Sequence, residues 1–219
     1  MLLTHLTWPE VDALDRETPV VVPMAGLVQG GRHLAIGAPL AFTETLVARL
    51  AEARPNALFL PVLPVGMMER HLSFPGTVAH SFEAIDEVVR GTVESLARHG
   101  FRRFLFLVGE QDTFHGIQIA CRRLKAKDPT LLLVQKILAP GGPKAGQPET
   151  SASMYLHPHL LRPEQIVDDG LFDPVPGAIR SQEEISETGS FGPATRADAE
   201  DGKEILELRM ESGIQAIDA

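Results

Sequence analysis

The sequence predicts an α/β fold: a mainly parallel sheet with helices on both faces. Short runs rich in β-branched and other apolar residues alternate with longer segments in which apolar residues recur at helical spacing. This alternation is typical of parallel strands joined by crossover helices. The chain has 219 residues, 44% of them hydrophobic, which suits one core rather than two. We therefore expect a single domain over residues 1–219.

Four apolar segments have the length and composition of strands: residues 20–24, 57–63, 104–108 and 130–136. The first two contain Pro23 and Pro61, and proline has no N–H to donate to a strand ladder. Each proline is therefore expected at a strand end or at the edge of the sheet. Ligands of open parallel sheets bind at the carboxyl ends of the strands, so the residues after Met24, Leu63 and Val108 are the first candidates for a site.

The strongest helical pattern lies between the second and third strands, where the apolar positions are Ile85, Val88, Val89, Val93 and Leu96. Ser81 is placed to cap the start of this helix, and Gly100 lies just past its end. Further helices are expected over residues 40–52 and from Asp112 to about Lys127.

Two segments, residues 139–150 and 167–192, are dense in glycine, proline and acidic residues and are expected to be loops. Long loops inside a compact domain are often functional. Between the second of these loops and the carboxyl end, Thr195 is placed to cap a last helix, with Asp198 in the capping-box position.

Composition excludes several classes of partner. The chain has 20 Lys and Arg against 29 Asp and Glu, and its formal charge of -9 gives no electrostatic reason to bind nucleic acid or an anionic membrane. No stretch reaches the roughly 20 apolar residues of a membrane span, and the amino terminus lacks a signal-peptide pattern. A single cysteine, Cys121, excludes an internal disulfide framework and fits a reducing compartment. We expect a cytoplasmic protein.

Three motifs follow the predicted strands. The first consists of Gln29, Gly31, His33, Leu34 and Gly37. The second is residues 69–77 (ERHLSFPGT), and the third is residues 145–151 (AGQPETS). In order and spacing, and together with residues 6–14 (LTWPEVDAL), they resemble the creatininase (creatinine amidohydrolase) family over nearly the whole chain. Members of this family are α/β metal-dependent amide hydrolases, so the resemblance implies a creatininase-like fold and an amidohydrolase-type cleft.

The resemblance also implies where the family's two divalent metals would be held. The family's five ligand positions fall on Val28, Gly30, Pro39, Gln111 and Thr113. None of these residue types is a competent ligand for zinc or for a hard cation. We therefore expect neither a metal nor another cofactor. The histidine that serves proton transfer in the family falls on Lys144.

Glu149 is the first catalytic candidate, because it is the carboxylate of the third motif; a structural hydrogen bond is an equal alternative. Glu69 and His71 are the second, since residues two apart share a face if their segment is extended and could act as acid and base. For them a loop-anchoring salt bridge is the alternative. The candidates for binding substrate are Gln29, His33, Gln111 and Lys144. His33 could instead hold its own loop, Lys144 could be solvated, and Asp112 is expected to cap a helix.

Two hypotheses about function follow from the resemblance. The first is a metal-free, divergent family member that binds or acts on a small polar molecule with an amide or lactam group in the former amidohydrolase cleft. The alternative is a catalytically inactive subunit that supports an active paralogue in a mixed oligomer. Family members form closed oligomers, commonly hexamers, so the resemblance implies a homo-oligomer or such a mixed assembly.

Overall fold

Four parallel strands form one sheet: β1 Val20–Met24, β2 Leu58–Phe59, β3 Arg103–Val108 and β4 Leu132–Ile137. The computed structural model describes residues 1–170 and 179–219. The strand order is β2-β1-β3-β4, and each pairing between these strands is parallel. The α-helices of the described residues are α1 Trp8–Asp12, α2 Ala38–Ala53, α3 Phe82–Ala97, α4 Gln111–Lys127, α5 Gln147–Leu156 and α6 Ala199–Asp218. The expected α/β class is confirmed.

The two prolines limit the pairing of their strands. Pro23 is the next-to-last residue of β1, and its carbonyl accepts the N–H of Leu63 at 2.9 Å. The second strand is shorter than expected, because β2 covers only two residues of the predicted segment 57–63. Leu60 still donates its N–H to the carbonyl of Val21, but the next N–H donated to β1 is that of Leu63, so the regular ladder is interrupted over residues 61 and 62.

Successive residues of β1 point to opposite faces of the sheet, so each face has its own core. One core joins β1 to α3 and α4 and includes Val20, Val22, Ile85, Val89 and Ile117. The other joins β1 to α2 and α6 and includes Val21, Phe42, Leu46, Leu206 and Ile217. Helices therefore cover both faces, as the sequence predicts.

Helix caps agree with the sequence at one helix and differ at another. Ser81 caps α3 as expected, since its hydroxyl accepts the N–H of Ala84 at 3.3 Å. The cap of α6 is Asp198, whose carboxylate accepts the N–H of Asp201 at 2.8 Å. Thr195 lies in a 3-10 turn before that helix. The difference arises because either side chain can cap, and tertiary packing decides where the helix begins.

The two expected loops have different outcomes. Helix α5 begins inside the expected loop 139–150, and Pro148 lies in its first turn, where the missing N–H costs no hydrogen bond. The expected loop 167–192 includes residues 171–178, which lie outside the described residues. Across the part of the chain that the structure describes, no helix combines the length and apolar character needed to span a membrane.

Candidate functional site

A cavity of about 420 Å³ lies at the carboxyl ends of the strands. Its wall contains residues that follow β3 and β4, together with residues from the second motif and from the loop after residue 179; the members used below are Val28, His71, Glu110, Gln111, Lys144 and Glu149. Its volume is in the range of pockets that bind small molecules. The cavity is therefore the candidate site, where the parallel-sheet rule predicts it.

Glu110 lines this cavity, although it was not among the site residues expected from the sequence. It directly follows β3, and its Oε1 accepts the N–H of Gly26 at 2.9 Å. Its Oε2 is shielded from solvent and has no hydrogen-bond partner among the described residues. Burial raises the pKa of Glu110 to about 8, although the charge of Lys144 acts in the opposite direction. Near neutral pH this carboxyl is therefore mainly protonated and able to donate a proton.

Glu110 also occupies the N-cap position of α4, but its side chain does not cap that helix. The carboxyl instead reaches across to the chain that leaves β1. Asp112, expected to be the cap, lies in the first turn of α4 and lines the cavity. A signal for Glu110 existed in the sequence, because an acidic residue directly after the clearest strand is placed at the catalytic edge of a parallel sheet.

The Gln29 amide determines which ring nitrogen of His71 carries the proton. Its Oε1 accepts the N–H of Gly31 at 2.7 Å, and its Nε2 donates to the carbonyl of Gly189 at 3.0 Å. These backbone contacts set which end of the amide is nitrogen, and the same Nε2 lies 3.1 Å from Nδ1 of His71. Nδ1 must therefore accept this hydrogen bond, which leaves the proton of the neutral ring on Nε2.

His71 is buried and lines the cavity. Burial lowers its pKa to about 3, helped by the positive charges of Lys144 and Arg70. The ring is thus neutral at physiological pH, with Nε2–H as its remaining donor. Gln29 is 4% exposed and its amide is occupied by these three contacts, so it orients His71 instead of contacting a ligand.

Lys144 and Glu149 form an ion pair that lines the same cavity. Nζ of Lys144 lies 3.1 Å from Oε2 of Glu149, and their side chains are only 13% and 17% exposed. The N–H of Ala145 also donates to Oε2 of Glu149 at 2.8 Å. Ala145 adopts the left-handed conformation (φ 52°), which a residue with a Cβ seldom does and which indicates local strain at the pair. Lys144 is therefore paired within the site and is not a freely solvated lysine.

His33 lies outside the lining of the cavity. It is fully buried, and its Nε2 lies 2.9 Å from Oγ1 of Thr150, in the first turns of α5. Burial lowers the pKa of His33, against the opposing charge of Glu149. The backbone carbonyl of His33 accepts the N–H of Arg162 at 2.8 Å. These contacts match the alternative in which His33 holds its loop and supports the helix that carries Glu149.

The pairing of Glu69 with His71 requires correction. Residues 69–71 form a 3-10 turn instead of the extended segment on which the pairing depended. Glu69 is exposed, whereas His71 is buried, so the two side chains do not share a face. Gln111 is exposed at the cavity wall, and its Nε2 lies 3.2 Å from Nε2 of His115.

The positions that the resemblance assigns to metal ligands are occupied by Val28, Gly30, Pro39, Gln111 and Thr113. Val28 is a buried hydrocarbon side chain in the cavity wall. Gly30 leaves no room for an imidazole, because a Cβ there would lie 2.6 Å from Cβ of Leu34. Pro39 lies in the first turn of α2, and the buried hydroxyl of Thr113 accepts the N–H of Met67 at 3.0 Å. Within residues 1–170 and 179–219, no three or more His, Cys, Asp and Glu side chains are arranged to hold a metal ion.

Comparisons with known proteins agree with the fold. A family model described as Creatininase: Creatinine amidohydrolase matches residues 4–217. The creatinine amidohydrolase of Pseudomonas putida is 26% identical, over 97% of this chain and 94% of that protein. A mycofactocin precursor peptide peptidase of Mycobacterium tuberculosis is 27% identical, over 90% of this chain and 84% of that protein. A crystal structure of creatinine amidohydrolase (creatininase) matches with a TM-score of 0.79 at 26% identity, over 99% of this chain and 96% of that one.

Proposed function

The chain belongs to the creatininase family, and we propose that its cleft binds a small polar molecule with an amide, lactam or ester carbonyl and transforms it by acid–base chemistry that uses no metal. By their names, the relatives are an amidohydrolase and a peptidase, which supports a carbonyl-centred substrate. The residues at the family's metal positions offer no ligand set, which supports a metal-independent reaction.

The observation that supports this proposal most directly is the pair of unlike carboxyl groups in one cavity. Glu110 is half-buried, with its Oε2 shielded from solvent, and is mainly protonated near neutral pH, whereas Glu149 faces an ammonium group at 3.1 Å. Two carboxyl groups in such different environments are suited to opposite roles, one as an acid and the other as a base. Lys144 acts on both carboxyl groups. Its positive charge lowers the pKa of Glu110, and its ammonium group forms an ion pair with Glu149.

In the proposed reaction, Glu149 accepts a proton from the water that attacks the carbonyl carbon. Nε2–H of His71 and the ammonium of Lys144 stabilise the negative charge that develops on the carbonyl oxygen. Glu110 donates its proton to the leaving nitrogen or oxygen as that bond breaks. The products are an acid and an amine or alcohol, and the proton held by Glu149 returns to Glu110 through water.

The proposed chemistry favours activated substrates. A metal would supply a water molecule with a pKa near ~7, and Glu149 alone supplies a weaker means of activating water. Strained lactams, cyclic imides and esters are therefore the preferred substrate classes, ahead of unactivated amides.

The proposal is tested by a turnover assay of the purified chain on a panel of lactams, cyclic imides and esters. Glu110→Gln and Glu149→Gln are each expected to lower kcat by about 100- to 10,000-fold, because each removes one proton-transfer group while keeping its shape. Glu52→Gln, on the exposed side of α2, is the matched control and should leave turnover unchanged. Full activity of both cavity variants would refute the roles assigned to them.

The second test is elemental analysis of protein purified without chelator, which measures whether the chain holds a metal. We expect less than stoichiometric zinc, manganese or magnesium, and about one or more ions per chain would contradict the metal-independent reaction. The remaining alternative is the inactive subunit. Absence of turnover by the isolated chain, with a paralogue that co-purifies and is itself active, would replace the present proposal with that one.

A further inference from the structure

Asp169 lies next to the segment that forms part of one wall of the cavity. The described residues of that segment are 179–192, and among them Gln182 and Phe191 line the cavity. Asp169 lies outside the lining, and its backbone carbonyl accepts the N–H of Gly192 at 2.8 Å. Asp169 is therefore placed to shape this wall without contacting a ligand.

Three hydrogen bonds converge on one oxygen of the Asp169 carboxylate. Its Oδ2 accepts the hydroxyl of Ser186 at 2.8 Å, and it accepts the hydroxyl and the N–H of Thr188 at 2.8 and 3.0 Å. The other oxygen, Oδ1, accepts the N–H of Gly170 at 2.7 Å. Burial alone would raise the pKa of Asp169, but the donors of Thr188 and Ser186 lower it to about 2. The group is therefore ionised at physiological pH and acts as an acceptor only.

The two hydroxyls bound to Asp169 hold the backbone around Gly189. The oxygen of Ser186 accepts the N–H of Gly189 at 2.8 Å, and the oxygen of Thr188 accepts the N–H of Ser190 at 3.3 Å. Each hydroxyl has one proton to donate, and for Ser186 the carboxylate at 2.8 Å is nearer than the carbonyl of Ser190 at 3.0 Å. Three successive N–H groups, those of residues 188, 189 and 190, are thus held by Asp169 directly or through one hydroxyl.

The carbonyl of Gly189 connects this network to the cavity. It accepts Nε2–H of Gln29 at 3.0 Å, and the same nitrogen lies 3.1 Å from Nδ1 of His71. Gly189 has a φ of 77°, and a Cβ at this position would overlap with Oε1 of Gln29. Because the backbone approaches the amide this closely, a small displacement of the loop would remove the hydrogen bond.

We propose that Asp169 is a positioning residue that keeps the ring proton of His71 on Nε2. It does so by holding the Gly189 carbonyl against the Gln29 amide. Without that carbonyl, the N–H of Gly31 is the remaining backbone contact that orients the amide. The amide can then turn over and present Oε1 to the ring, and the ring proton moves to Nδ1 by exchange with water.

The proposed change matters because Nε2 of His71 would become an acceptor. An acceptor at this position cannot stabilise the negative charge that develops on a carbonyl oxygen. The inference rests on the proposed function for the use of this proton, whereas the position of the proton is measured without any substrate.

The experiment reads the position of the proton by NMR, with ¹⁵N-histidine-labelled protein near neutral pH. A protonated ring nitrogen and an unprotonated one differ widely in ¹⁵N shift, and comparison with His71→Asn assigns the signals of His71. In the wild type, Nδ1 should have the shift of an acceptor nitrogen and Nε2 that of an N–H. In Asp169→Ala, the two signals should move towards each other, as in a mixture of the two ring forms.

Asp168 provides the matched control. Its carboxylate also accepts the N–H and the hydroxyl of one threonine, because Thr195 donates both, at 2.8 and 2.9 Å. Thr195 lies in the 3-10 turn before α6, away from Gly189 in the chain. Asp168→Ala therefore removes a similar set of hydrogen bonds and should leave the signals of His71 unchanged.

Two further variants make the test specific. Asp169→Asn keeps an oxygen that can replace Oδ2, so it should keep the wild-type signals of His71. Thr188→Val removes one hydroxyl and is the milder substitution if Asp169→Ala does not fold; it should move the signals in the same direction.

Unmoved signals of His71 in Asp169→Ala, or in Thr188→Val where Asp169→Ala does not fold, would overturn the inference. Equal shifts in Asp168→Ala would also overturn it, because they would indicate a general loosening, and equal shifts in Asp169→Asn would do so by indicating an effect of charge alone. Because no turnover is measured, each of these failures is distinguishable from a failure of the proposed acid–base reaction.

Discussion

Replacement of Glu110 with glutamine is expected to stabilise the protein at alkaline pH while it removes turnover. Glutamine keeps an oxygen to accept the N–H of Gly26, but it has no proton to lose. The wild-type carboxyl must either hold its proton or become a buried anion as the pH rises. A gain in stability together with a loss of activity is the behaviour of a group kept for function.

The magnitude follows from the two pKa values of this carboxyl. In the unfolded chain it titrates near its ordinary value of 4.5, whereas in the folded protein the pKa is about 8. Between these values the folded state binds the proton and the unfolded state does not, so the stability that the group contributes is complete below pH 4.5 and is lost as the pH rises to 8. At about 1.4 kcal/mol per pKa unit, the complete loss is on the order of 5 kcal/mol.

Urea unfolding of the wild type and of Glu110→Gln, from about pH 4.5 to about pH 9, measures this difference. Subtraction of the two curves cancels other groups that titrate alike in both proteins. The variant should be matched to the wild type near pH 4.5 and more stable by a few kcal/mol near pH 9, while Glu52→Gln shows no such trend. A difference that is independent of pH, or a variant that is less stable at alkaline pH, would refute the reasoning.

Three further predictions use the same measurements. His71→Asn should make the free energy of unfolding depend less on pH in acid. Burial lowers the pKa of His71 to about 3, so the stability that this residue contributes is complete above pH 6.5 and is lost as the pH falls towards 3. Lys144→Met removes a charge that lowers the pKa of Glu110. In a protein with this substitution, the loss of stability caused by Glu110 should therefore continue to a pH above 8 before it levels off. Gly30→His, the family's residue, should lower the free energy of unfolding by about 1 to 3 kcal/mol through its contact with Leu34, without conferring metal binding.

Local sequence signals were sufficient for most of the fold. The strand over residues 20–24 is confirmed at both ends, and the helix capped by Ser81 begins where expected. These features depend on patterns within one segment. The second strand was predicted too long, since the sequence does not show that the regular pairing with β1 is interrupted after Leu60.

The site was less accessible from sequence because its chemistry depends on distant partners. The protonated state of Glu110 results from burial in the assembled fold, against the N–H of Gly26, 84 residues away, which lowers its pKa. The proton position on His71 depends on an amide 42 residues away. Glu149 was found because it lies in a motif, but its ion pair with Lys144 required the strained turn at Ala145. Motifs identify positions, whereas protonation is a property of the assembled cavity.

The Gln29 side chain has a consequence for the order in which the cavity forms. One amide joins its own loop to His71 and to Gly189, which is 160 residues along the chain. Such contacts close very long loops, and their entropic cost is high until the intervening sheet and helices are in place. We therefore expect the cavity wall to be completed late in folding. Oε1 of the same amide accepts the N–H of Gly31. The hydrogen-exchange rate of this N–H therefore reports whether the contacts of Gln29 have formed.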